Sequence, residues 1–87
     1  MSRSELREAG DELVAAARRV EGAVERRLHG EVVELSKLRV GDEPSAERLD
    51  DRIEAVRALA AEAGPERRRV ERALAHLETA RAVATRR

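Results

Sequence analysis

Apolar residues recur at helical spacing through most of the chain, and the interruptions are few. Leu6, Gly10, Leu13, Ala17, Val20 and Val24 alternate steps of four and three, the a/d seam of a coiled coil. The stripe continues through Leu28, Val32, Leu35 and Leu38, with successive steps of four around Val24. Such a stutter rotates the seam and predicts a change of packing partner near that residue. Ser2 and Glu5 have the capping-box spacing of a helix start. The first cluster of turn residues is Val40-Gly41-Asp42-Glu43-Pro44, where Gly41 can take the left-handed conformation that ends a helix. Ala46, Leu49, Ile53, Val56, Ala60 and Ala63 form a second stripe, which Gly64-Pro65 stops. Val70, Ala73, Leu74, Leu77, Ala80 and Ala84 form a third.

The pattern predicts one all-α domain over residues 1–87, with a long N-terminal helix (about 3–40) followed by an antiparallel pair of shorter helices (about 45–63 and 65–85). At a rise of 1.5 Å per residue the first helix would be roughly 55 Å long and the others roughly 30 Å. About 25 Å of seam would then project beyond its own bundle, and an apolar strip of that length is not left in water. The expectation is therefore an intertwined or coiled-coil-like homodimer, with Leu6, Leu13, Ala17, Val20 and Val24 as the partner-binding seam. The pattern leaves parallel and antiparallel pairing both open. The competing arrangement breaks the helix near Gly10 or Gly22 and folds the N-terminal segment back as a fourth helix. Gly22 has no Pro, Asn or Asp beside it, and a mid-helix glycine costs only about 1 kcal/mol.

Composition sharpens the case for association. There is no Phe, Tyr, Trp or Cys, so aromatic burial, disulfides and thiolate metal sites are all excluded. Much of the apolar content is alanine, which lets helices approach closely but buries little area. A domain of 87 residues built this way needs a staple or a partner.

Charge is balanced, with 18 basic and 18 acidic residues, and Lys37 is the only lysine. A neutral chain argues against nucleic acid and anionic membranes as partners. Residues 41–63 carry seven acidic groups against three basic ones, and residues 64–87 reverse the proportion. Opposite signs in neighbouring segments predict a hairpin with paired charges, or an arginine face for an acidic partner. Arg67, Arg68 and Arg69 open the last helix with positive charge that opposes its dipole. No apolar run has the length of a signal peptide or a membrane span, so the expected location is the cytoplasm.

Candidate chemistry is sparse. If the last helix returns alongside the first, His29 and His76 fall at similar heights, and facing imidazoles could hold a metal or haem. No carboxylate sits at ligand spacing beside them, so the reading is boundary histidines and no cofactor. The hydroxyls form no nucleophile–His–acid constellation, and the glycines form no phosphate-binding loop.

Two resemblances carry functional implications. Arg26 and Lys37 lie eleven residues apart on the first predicted helix, Arg48 opens the second, and Leu6-Arg7-Glu8 stands near the N-terminus. This set resembles the intertwined dimeric chorismate mutases, in which such cations hold a small dicarboxylate. The resemblance implies an anion site of Arg7, Arg26, Lys37 and Arg48. Leu49 stands where that family has an acidic residue, and Arg81 and Thr85 where it has a serine and a glutamine or glutamate. Val24-Glu25-Arg26-Arg27-Leu28-His29-Gly30 is similar to the phosphoacceptor segment of one class of histidine-kinase hairpins, with Gly30 in place of the acidic base. The leading expectation is a non-catalytic helical interaction module that binds itself or another helical protein. The mutase-like dimer is the alternative.

Overall fold

The computed structural model describes residues 2–41 and 43–85, apart from the side chain of Ser2. Four α-helices run in chain order: α1 Ser2–Ala17, α2 Ala23–Leu38, α3 Ala46–Glu62 and α4 Arg67–Thr85. A single 3-10 turn, Gly64–Glu66, joins α3 to α4. No strand occurs among the described residues.

The expected long helix of about 3–40 is two helices. α1 ends in a tightened turn, where the Arg18 amide donates to Val14 and the Arg19 amide to Ala16. Gly22 then adopts φ 77°, ψ −141° and starts α2 without a side-chain cap. The chain reverses there, so Arg3 at the start of α1 donates to the Gly41 carbonyl just beyond α2. The molecule measures 38 × 19 × 18 Å, too short for a straight helix of the expected length. The reason is energetic. Avoiding a mid-helix glycine gains only about 1 kcal/mol, but fully burying a leucine contributes about 1.5–3 kcal/mol. Folding back buries Leu6 and Leu13 completely, together with Ala9, Ala16 and Ala17.

The helices close a ring in which α1 touches α2 and α4, and α3 touches α2 and α4. The α1–α4 contact is the most extensive and the α2–α3 contact the sparsest. Alanines explain the first. Ala9, Ala16 and Ala17 of α1 and Ala73 and Ala80 of α4 belong to a core that also holds Leu6, Leu13, Val70 and Leu77. Small side chains let the two backbones approach, and leucines fill the layers between them. From α2 the core takes Leu28, Leu35 and Leu38, and from α3 it takes Leu49, Ile53, Val56, Leu59 and Ala60. Val20 and Val24 are half-buried against it.

The remaining boundaries follow local chemistry. Gly41 (φ 84°) and Gly64 (φ 56°) take left-handed conformations after α2 and α3. Ser45 caps α3 by accepting the Arg48 amide at 3.2 Å. The capping box expected at Ser2 involves a side chain outside the described residues. α3 and α4 run in opposite senses, with Arg81 at 2.7 Å from Asp50 and Arg57 at 3.6 Å from Glu78.

Candidate functional site

The residues expected to form a dimer seam are used inside one chain. Leu6, Leu13 and Ala17 are fully buried within the bundle. The uncovered overhang that motivated the homodimer therefore does not exist in this arrangement, because α4 and α2 cover it. Among the described residues the large apolar side chains left exposed are Val33 at 52% and Val40 at 77%, on α2 and just beyond it.

The four cations of the mutase-like alternative are spread over the surface. Arg7 is on α1, Arg26 near the start of α2, Lys37 near its end and Arg48 in the first turn of α3, all exposed. Arg26 and Lys37 are separated by eleven residues of one helix, about 16 Å along its axis. Lys37 donates to Glu34 at 3.0 Å, and that contact holds the Glu34 carboxyl below the usual carboxylate range. Arg7 lines one groove, and none of the other three lines it. The long helix on which the intertwined mutases are built is also interrupted here.

The histidines do not face each other. His29 is exposed on α2 and lies 4.0 Å from Glu25. His76 on α4 meets Glu5 of α1 at 2.6 Å. Among the described residues no group of three or more His, Cys, Asp or Glu could hold a metal ion. No helix among them is long and apolar enough to cross a membrane.

Polar contacts between helices are arranged unevenly. One guanidinium nitrogen of Arg52 on α3 donates to both carboxylate oxygens of Glu31 on α2, at 2.9 and 3.0 Å, with the Glu31 and Arg52 side chains only 14% and 22% exposed. Desolvation raises the Glu31 pKa, against the pull of the Arg52 guanidinium and with a push from Glu34. Arg27 to Glu62 at 2.9 Å is a second tie between the same helices. Where α2 and α3 make least apolar contact, two ion pairs join them.

Glu12 on α1 sits between Arg69 (3.4 Å) and Arg72 (2.7 Å) of α4, and Arg69 also reaches Glu66 at 3.1 Å. Arg18 and Arg19 join Arg69 around a shallow groove at this end of the bundle. Of the three arginines that open α4, Arg69 thus belongs to a partly neutralised arginine cluster. Sequence reading missed its other half, because Arg18 and Arg19 were placed inside a continuous helix.

At the opposite end Arg3 and Arg7 of α1 and Arg39 after α2 surround an open groove of about 500 Å³, with Ser4, Ser36 and Val40. Two of these arginines were legible as an i, i+4 pair of like charge. Arg39 reaches them only because the chain folds back. A larger open groove of about 840 Å³ runs between α3 and α4, but its lining mixes Asp50, Glu54 and Glu78 with Arg57 and Arg81, so its charges pair internally.

Residues 1–83 match the family of unknown function DUF7553, and the chain belongs to that family. No curated protein and no solved structure matches it.

Proposed function

We propose that this DUF7553 member is a non-catalytic, cytoplasmic helical interaction module that self-associates by exchanging α1 between two copies. One observation carries the reading: the apolar stripes of α1 and α2 form one helical repeat, divided by a turn that depends on Gly22. The turn segment Arg18-Arg19-Val20-Glu21-Gly22 contains no proline and is itself compatible with a helix. If it straightens, α1 leaves its own α4 and occupies the same position on a second copy. Leu6, Leu13, Ala17, Val20 and Val24 then become the seam between protomers. Every buried contact of the closed bundle is kept, so exchange costs little beyond association entropy, and a two-fold dimer closes it.

Gly22 is the place to test this. Its φ and ψ lie near a region open essentially to glycine alone, where another residue costs about 1–3 kcal/mol. A Cβ built there meets nothing within 4 Å, so the cost of Gly22→Ala is backbone strain and not a clash. In the straight helix the same substitution gains about 1 kcal/mol. Together these shift the closed–open balance by about 2–4 kcal/mol per protomer, roughly 30-fold or more. Gly22→Ala is expected to scatter light as a dimer with unchanged helical circular dichroism. Gly10→Ala, within α1, should leave the mass of the parent protein unchanged. A Gly22→Ala protein that is folded and monomeric at every concentration up to about 1 mM overturns the reading.

A further inference from the structure

The groove at the α1 start gathers three arginines beside an exposed valine, which the arginine groove at the Arg69 end lacks. Among the described residues its charged lining consists of Arg3, Arg7 and Arg39, with no acidic side chain. Arg3 donates to a backbone carbonyl, that of Gly41, at 2.9 Å. Arg7 and Arg39 make no ion pair among the described residues. Several other surface arginines are matched to carboxylates, as Arg27 is to Glu62 and Arg81 to Asp50.

This arrangement has a local cost. Arg3 and Arg7 are like charges at i, i+4 on one helix, and Arg3 lies in the first turn, where positive charge opposes the dipole. Arg39 follows the end of α2, where a cation suits the dipole, but the reversal at Gly22 brings it to the other two. The wall of the groove is more apolar than polar, and Val40 stands 77% exposed at its edge. Three cations around an apolar lip match an anionic group attached to an aliphatic one.

We infer that this groove is a docking site for an extended acidic segment of a partner protein in which carboxylates flank an aliphatic side chain. Guanidinium forks take carboxylates bidentately, and the arginine stems with Val40 offer the apolar contact. The nucleic-acid alternative is less well served. The groove has no aromatic surface for stacking bases, and three clustered charges with an apolar edge do not track a phosphate backbone. The inference does not require α1 exchange, and exchange would re-form the groove by placing Arg3 and Arg7 of one copy beside Arg39 of the other.

The probe is a fluorescein-labelled peptide of alternating glutamate and leucine, followed by anisotropy at low and physiological salt. Binding is expected to weaken with added salt, and to fall about tenfold or more in Arg7→Glu/Arg39→Glu. Arg18→Glu/Arg68→Glu changes the net charge equally at the far end of the bundle and should keep the parent affinity. All four positions are exposed, and circular dichroism checks that both variants fold. A peptide with glutamine in place of glutamate should not bind. Three results each overturn the assignment: equal loss in both double variants, tighter binding of a poly-dT oligonucleotide of equal charge, or no binding of the acidic peptide up to about 1 mM.

Discussion

Leu13 and Glu31 mark the two ways in which single side chains hold this bundle. Leu13 is fully buried between α1 and its neighbours, so Leu13→Ala leaves a cavity that alanine-lined helices close only in part. Loss of about 2–5 kcal/mol is expected in urea unfolding, whereas Val33→Ala, at an exposed position, should change little. Glu31 is different, because burial penalises its charged form more than Arg52 rewards it. Its folded pKa lies above the unfolded one, so between the two values the folded state holds more protons. Stability relative to Glu31→Gln should therefore fall as pH rises through that window and then level off. Unfolding of both proteins from acid to neutral pH checks this; a difference that grows in favour of the parent with rising pH contradicts it. The apolar half of this was legible, since Leu13 sits on the α1 stripe. The Glu31–Arg52 ion pair was not, because pairing across helices depends on how α2 and α3 are rotated.

At the scale of elements, helix ends followed from local chemistry wherever a side chain or a glycine acts alone. Gly41 and Gly64 end helices in left-handed conformations, and Ser45 starts one with its hydroxyl. Ser45→Ala should cost about 1 kcal/mol in thermal or urea unfolding without altering the fold. An unchanged midpoint would mean that Pro44, which is buried, fixes the start of α3 by itself. Gly22 resisted the same treatment. A glycine within a helical repeat is compatible with both a straight helix and a turn, and the local difference of about 1 kcal/mol is smaller than the burial terms on either side. The stutter near Val24 did point to the right region. It signalled a rotated seam, and the structure turns that rotation into a reversal of the chain.

For the whole molecule, the proposed exchange would satisfy the same contacts in two assemblies. In the bundle α1 covers its own α4, and in the dimer proposed above it would cover the α4 of a second copy. The proportion of dimer should therefore rise with protein concentration, most steeply in Gly22→Ala, as mass action requires. Fold-back also sets the surface. It gathers Arg3, Arg7 and Arg39 at one end and brings Arg18 and Arg19 to Arg69 at the other, and it separates Arg26, Lys37 and Arg48. The anion site that the mutase resemblance implied is thus dispersed, and a different group of arginines meets between segments far apart in sequence.

Periodicity and turn residues alone determined that the chain is helical, which faces are apolar and where α3 and α4 begin and end. Those properties depend on interactions within a few residues, and the order of side chains encodes them directly. Tertiary structure decided the course of the chain at Gly22, the partner of the α1 stripe and the grouping of the arginines. Each of these compares the burial of one apolar stripe against alternative covers, and the stripe looks the same whichever helix lies over it.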